Sequence, residues 1–403
     1  MALADAEVAI VGGGVVGATL ALLLVEQSRI AAARIVVIEP SAPVFPAPES
    51  PLQLRVSAIA PGNRSLLDEL GVWQRLDAAR MACYERMRVW PESIPPDSPD
   101  VLVFDAAEAG EPDLGCIVEN AALQAALLGA CRQRGIVVVP ATLEALQVDA
   151  DGVVLTVNGQ TLRAELVVGA DGANSAARRL LAMPADGQDY GQRALVANVG
   201  TERPHQHTAW QRFLTTGPLA LLPLPGNLVS IVWSATGQRA AELLAMPPDQ
   251  FDAALTSASA GVLGELTLSS ERAAFPLRRL AARRYVGPRV ALVGDAAHVI
   301  HPLAGQGVNQ GLEDAASLAA NLAQRPPRES PGAMPALLRY QRQRRAGNAL
   351  VGGMVDGLDQ LFTRPSGMVS WMAREGMALV AHSTHARRLL VRQAAAGRSS
   401  PRR

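Results

Sequence analysis

The sequence predicts an α/β protein: a nucleotide-binding domain of parallel strands, an inserted mixed β-sheet domain, and helices at the C-terminus. Three stretches carry the expectation. EVAIVGGGVVGATLALLLVE reads as a strand, a glycine turn and a helix, and RIVVIEP supplies a second strand that ends at Glu39. AELVVGADGANSAARR runs a further strand into Gly169-Ala170-Asp171-Gly172. RVALVGDAAHVIHPLAGQGVNQGLEDA runs another into Gly294-Asp295, followed by a glycine-rich approach to a helix.

The first stretch has a strand before its glycines and a helix after them. Val8–Val11 is a short β-branched run, as a parallel strand covered on both faces requires. Gly12, Gly14 and Gly17 stand in GxGxxG spacing. The first glycine permits a tight turn, the second lets backbone approach a pyrophosphate, and the third allows close helix–strand packing. The helix N-terminus then presents free N–H groups and about half a positive charge to an anion. Glu39 lies 22 residues past Gly17, where a carboxylate meets a ribose hydroxyl. The spacing predicts dinucleotide binding.

In the third stretch an apolar strand, Val290–Val293, delivers Asp295 to its C-terminal edge, where open α/β sheets bind ligands. Gly305, Gly307 and Gly311 leave the following helix start bare, so its N–H groups can face an electron-rich group. One long ligand can then meet Gly12–Gly17 at one end and Asp295 at the other; FAD has that length. A capped loop is the competing reading of Asp295 alone, as is an Asx-capped turn for Asp171 with Ser175 and Arg178. His298 and His301 are three apart, but Pro302 follows and no acid or cysteine cluster is near, so no metal is expected.

Composition narrows the classes. The chain has 403 residues, zero formal net charge and 4% aromatics, which argues against nucleic-acid binding. All 37 basic residues are arginine. Oxygen or halogen chemistry that depends on a lysine is therefore closed to it. Cys83, Cys116 and Cys131 form no CxxC, and reduced thiols in a cytoplasmic setting are the expectation. The stretch 8–25 holds 18 uncharged residues, yet its four glycines favour the nucleotide turn over a membrane span.

Taken in order, the GxGxxG, DG and GD stretches resemble the flavoprotein aromatic hydroxylases of the p-hydroxybenzoate hydroxylase type. LRVSAIAPGN, GCIVENAALQAAL, YGQRALVANV and HTAWQRFLTTGPLALLPL resemble the ubiquinone-biosynthesis branch of that family. The resemblance implies a Rossmann-like FAD-binding domain over 1–76, 108–180 and 276–330. It implies a substrate domain over 77–107 and 181–275, and a helical region over 331–403. It further implies that Gly12, Gly14, Gly17 and Glu39 hold the ADP half of FAD, that Arg55 lies near the pyrophosphate, and that Asp171 and Gly172 serve FAD and a transient NAD(P)H. Asp295 would meet the ribityl chain, with Pro302, Gly305 and Gly307 beside the flavin ring. Gln53 departs from the branch, which often has an acid there.

The activity implied is hydroxylation of a polyprenylated phenol with NAD(P)H and O2, with the redox chemistry carried by FAD. No acid–base triad is evident. His207, Trp210, Arg212 and Phe213 are candidates for substrate contact or for sheet packing, and Leu219, Leu221, Leu222 and Leu224 for an apolar channel or ordinary core. GMVSWMAREGMALV and the arginines at 387, 388 and 392 suggest either peripheral contact with the inner membrane face or a packed helix. A same-fold hydroxylase of a soluble phenol, a reductase, and a non-catalytic flavin-binding member of a biosynthetic complex are the rival readings.

Overall fold

The computed structural model describes residues 5–41, 43–299 and 306–363. Its first sheet has a parallel centre of β1 (Ala6–Val11), β2 (Ile35–Ile38), β8 (Val137–Val139), β11 (Gln160–Gly169) and β19 (Val290–Leu292), in the spatial order β19-β11-β1-β2-β8. The short β18 (Val286–Gly287) pairs antiparallel with β19. A hairpin of β9 (Leu143–Val148) and β10 (Val153–Val157) hangs antiparallel from β11.

The continuous hydrophobic run of β1 follows from its two covered faces. Val8 and Ile10 pack with α1 (Val15–Gln27), α4 (Asn120–Gln133), α8 (Gln306–Ala323) and the start of α9 (Met334–Thr363). Ala9 and Val11 pack with the β9–β10 hairpin and with Ala177 of α5 (Ala176–Leu180). In α1 the side chains of Leu20, Leu22, Leu23 and Leu24 are at most 1% exposed. Each contributes roughly 1.5–3 kcal/mol by leaving water. The apolar stretch 8–25 is thus a core strand and a core helix. Among the described residues no helix is long and apolar enough to cross a membrane.

The second sheet takes β5 (Arg86–Pro91) and β6 (Leu102–Asp105) from one segment of the chain. From another it takes β12 (Ala185–Thr201), β13 (Thr208–Leu214), β14 (Gly217–Leu224), β15 (Leu228–Thr236), β16 (Leu266–Leu268) and β17 (Ala273–Ala282). It does not stop at the expected boundary of 276, because β17 pairs with β12 as far as Ala282. β20 (His298–Val299), just past the Gly-Asp turn, pairs with β17 and joins the two sheets at the candidate site. A third, antiparallel sheet was not foreseen: β3 (Val56–Ile59), β7 (Gly115–Glu119) and β4 (Ala82–Tyr84), in the order β3-β7-β4. Within it a disulfide joins Cys83 to Cys116, directly opposed across β4 and β7. The expectation of free thiols is corrected for these two, because strand pairing over 33 residues of sequence separation leaves no local signature.

Strand alternation gives the second sheet two unlike faces. Leu195, Leu219, Leu221, Ile231 and Trp233 pack beneath α6 (Gly237–Ala245) and α7 (Pro248–Ala258). Leu222 and Leu224 point the other way, onto Ala58 and Ile117 of the third sheet. α2 (Pro61–Glu69) follows β3, and a single turn, α3 (Ala106–Ala109), follows β6.

A Cβ added at Gly17 would collide with the Gly12 carbonyl oxygen, whereas one at Gly14 would meet nothing within 4 Å. Gly17→Ala is therefore expected to destabilise the cofactor-free protein by about 1–3 kcal/mol in urea unfolding. Gly14→Ala should leave that unfolding curve in place.

Candidate functional site

Three strand ends lie side by side. Val11 pairs with Gly169, and Gly169 with Leu292, so the glycine turn, the Asp-Gly turn and the Gly-Asp turn leave one edge of one parallel sheet. Gly12 has a φ of +103°, and its N–H donates to the Ile38 carbonyl at 2.8 Å. A side chain there would run into Ala170. Gly14 caps α1 in extended conformation, with no side chain satisfying the first-turn N–H groups. The open space in front of Gly14 and those bare donors fit a pyrophosphate. Glu39, half-buried past the end of β2, accepts from the Gly13 N–H at 2.8 Å and the Ser41 N–H at 3.1 Å. Two carboxylate oxygens offer about four lone-pair sites, so acceptor capacity remains for ribose hydroxyls.

The Asp-Gly turn braces the first. The Ala170 N–H donates to the Val11 carbonyl at 2.7 Å. Asp171 accepts from the Ser175 hydroxyl at 2.5 Å and the Ala177 N–H at 3.0 Å. Its carboxylate starts α5, so Asp171 acts on the groove through the turn it shapes. Gly172 takes the positive φ of that turn, +77°. The buried Arg178 then donates to the Ala173 carbonyl at 2.8 Å and the Ala296 carbonyl at 2.7 Å, tying this turn to the Gly-Asp turn.

Gly294 has a φ of +58° and packs against Val16 of α1. Its N–H donates to Asp314 Oδ2 at 2.9 Å. Asp314 is fully buried; it also meets His298 Nε2 at 2.5 Å and accepts from Arg344 Nε at 2.6 Å. Burial alone would raise this carboxyl, but His298 and Arg344 outweigh burial and hold it below the usual carboxylate range. Tyr285 stacks on His298 with centroids 5.8 Å apart. His298 is thereby committed to a structural pair, and His301 lies outside the described residues.

Asp295 is placed quite differently. Its surface is exposed, yet the surrounding protein pushes its carboxyl above the usual range, an effect eased by His298 and Arg55. Both observations hold for an acid on the floor of a groove, open to a ligand but flanked by protein. Arg55 reaches the same groove, with its guanidinium over the Phe275 ring at 5.4 Å. Gly307 opens the first turn of α8 with nothing within 4 Å of its Cβ position. Pro302 and Gly305 lie outside the described residues.

Sequence reasoning missed the residues that brace the chain on either side of Arg55. Arg80 donates to the carbonyls of Ala47, Pro48, Ser50 and Pro51 at 2.8–3.3 Å, and to both oxygens of buried Glu119 at 2.8 Å. Glu119 also accepts from the Gln53 N–H at 2.8 Å. Position 53 thus contributes its backbone, which makes its departure from the branch harmless to that contact. Asn309 of α8 accepts from the Ala60 N–H at 3.0 Å and donates to the Ala58 carbonyl at 2.8 Å, joining α8 to the strand that follows Arg55. The string around Arg80 carries no motif that would have flagged it; Asn309 and Asp314 lie within the Gly-Asp stretch, where nothing local sets them apart from its other polar residues.

The four substrate candidates are not gathered together. Arg212 donates to the Ala258 carbonyl at 2.8 Å at the end of α7, and Trp210 packs in the same helix-side cluster. Both point away from the groove, because they alternate with the residues that face it. His207 is exposed, 3.2 Å from the Cys83 carbonyl through Nδ1. Phe213 is buried and lies on the face shared with Leu222, through its pairing with Pro218. Leu219 and Leu221 belong to the helix-side core, and Leu222 and Leu224 to the groove-side face.

A parallel sheet whose strand ends carry the glycine turns of a dinucleotide site, beside a second, mixed sheet, defines a flavoprotein monooxygenase fold. A family model described as an FAD binding domain matches residues 5–351, and the chain belongs to that family of FAD-dependent monooxygenases, in its ubiquinone-hydroxylase branch. It is 39% identical over 398 residues to the ubiquinone hydroxylase UbiL of Rhodospirillum rubrum, covering 96% of this chain and 89% of that protein. It is 39% identical over 360 residues to the 3-demethoxyubiquinol 3-hydroxylase of Escherichia coli, covering 88% and 89%. Among solved structures, p-nitrophenol 4-monooxygenase PnpA from Pseudomonas putida superposes with a TM-score of 0.75 at 17% identity, covering 99% of this chain and 100% of that one. That likeness concerns fold alone.

The raised Asp295 carboxyl gives a signed expectation. Stability held by its protonated form is present below the ordinary carboxylate value of about 3.9 and lost as pH rises through the raised value. Asp295→Asn should thus match or exceed the wild type in urea midpoint at pH 7 without cofactor, with the difference closing in acid, while binding FAD more weakly in flavin titrations. Asp314→Asn should behave oppositely. It removes the charge that a fully buried acid sets against Arg344 and should cost about 3–5 kcal/mol near neutral pH in the same unfolding assay.

Proposed function

We propose that this enzyme uses NAD(P)H and O2 to hydroxylate the ring of a polyprenylated phenol on the route to ubiquinone. The observation that supports it most is that three adjacent strand ends share one sheet edge, bringing an exposed carboxylate, Asp295, to the same edge as the bare start of α1. In this reading the α1 N–H groups and Arg55 hold the pyrophosphate, Glu39 the adenosine ribose, and Asp295 the ribityl chain. FAD, once bound, supplies the oxygen-activating chemistry.

The chain's own residues then orient, exclude water and stabilise charge. In this reading the bare backbone at Gly307, with nothing within 4 Å of its Cβ position, would offer N–H donors to the electron-rich ring. The groove-side face of the second sheet carries apolar Val196, Val232 and Leu222 beside Ser230, a pairing suited to an apolar tail and a phenolic head. Trp210 and Arg212 are left out of substrate contact. NAD(P)H is a transient visitor without a second dinucleotide fold. A prenylated substrate partitions into bilayers, so the reading extends to peripheral contact with the inner membrane face and to partners in a biosynthetic complex. The Met- and Trp-bearing stretch named for that contact lies outside the described residues.

Protein reconstituted with FAD is expected to turn yellow. It should consume O2 and NAD(P)H in equal amounts only with a prenylated phenol, and yield a product heavier by one oxygen atom. Equal stimulation by short, tail-free phenols would shift the reading to a soluble substrate. Flavin binding without stimulated NAD(P)H oxidation would indicate a non-catalytic member of a complex.

A further inference from the structure

Away from the cofactor groove, the turn between β14 and β15, the Pro204–His207 loop and the start of β4 enclose a cleft of about 580 Å3. Cys83 and Asp113 are part of its lining. Behind Cys83, Cys116 is fully buried. Arg64 Nη1 lies among these groups. It donates to Asp113 Oδ2 at 2.6 Å and points at the sulfurs of Cys116, 3.2 Å away, and Cys83, 3.9 Å away. Asp113 Oδ1 is buried and has no hydrogen-bond partner, although its residue is only 7% exposed. The mechanism above uses none of these groups.

The two sulfurs are therefore inequivalent. Cys83 is half-buried and reachable from the cleft; Cys116 is sealed and sits nearest a guanidinium. Thiol–disulfide exchange depends on which sulfur is accessible and on how well the other leaves as a thiolate. Attack at Cys83 releases Cys116 beside the Arg64 cation, the favourable order on both counts. A metal ion held by Cys83, Asp113 and Cys116 is the competing use of the cluster, but the Arg64 cation already lies between Asp113 and Cys116.

We propose that Cys83–Cys116 is a redox-active disulfide, opened by a small thiol that enters the cleft and attacks Cys83. In the first step the thiolate sulfur bonds to Cys83, the Cys83–Cys116 bond breaks, and Cys116 leaves with the electron pair. A second thiolate then attacks the external sulfur of that mixed disulfide and releases the Cys83 thiolate. Two small thiols are oxidised to their disulfide while the protein pair gains two electrons and two protons. The fully buried Cys131, whose thiol burial pushes up to about 12, takes no part.

The test is to equilibrate the full-length, FAD-loaded protein in buffers of graded reduced-to-oxidised glutathione ratio, quench with acid, alkylate and map peptides by mass. The pair should pass from disulfide to dithiol within that series while Cys131 stays a thiol. Oxidised glutathione should add to Cys83 in Cys116→Ser and leave Cys116 unmodified in Cys83→Ser. Arg64→Gln should slow reduction of the pair about tenfold. The proposal fails if the pair yields to glutathione only when urea unfolds the chain, if glutathione is found on Cys116, or if the two cysteines never join. The two serine variants keep the test decisive should Arg64→Gln fold poorly.

Discussion

The molecule depends on backbone touching backbone where three parallel strands end. Gly12 lies against Ala170, and Gly17 against the Gly12 carbonyl, at distances no side chain tolerates. Gly311 of α8 comes equally close to Val16 of α1, beside Gly294. Glycine is needed here for close approach and, at Gly12 and Gly294, for a positive φ. The approach lets α1 and α8 start near one another at the sheet edge. At the start of α1 no side chain covers the first-turn donors.

Two acids near that edge differ in burial, and the proposed reading gives them different roles. Asp314 is out of water, and every partner it needs is present: the Gly294 N–H, His298 and Arg344. It holds the Gly-Asp turn in shape. Asp295 sits within the same turn but is left in the open groove, with its charged form disfavoured by the surrounding protein. A group kept in that condition costs stability until a ligand meets it, the usual arrangement at a binding site.

The second sheet applies the same division through strand alternation. Its helix-side face is ordinary core, and Arg212 satisfies the end of α7 from within it. Its other face meets the third sheet, where β4 and β7 bring Cys83 and Cys116 together beside Arg64. β4 runs almost directly into β5 of the second sheet, and β7 pairs with the strand that follows Arg55. The cysteine pair therefore crosses two strands of the third sheet, one continuing into the second sheet and the other paired with the strand after Arg55.

By itself the sequence determined the parallel sheet, the three turns and the cofactor class. Each is written in contiguous residues whose spacing has a local cause: β-branched runs for covered strands, glycine where backbones approach, an acid at a strand end. Only the tertiary structure decided that the three turns share one edge, that Trp210 and Arg212 face away from the groove, and that Arg80 and Asp314 brace the segments around it. Those outcomes rest on pairing between segments far apart in the chain. Strand order sets which turns are neighbours, register sets which face a side chain takes, and a buried charge becomes legible only once its partner is beside it.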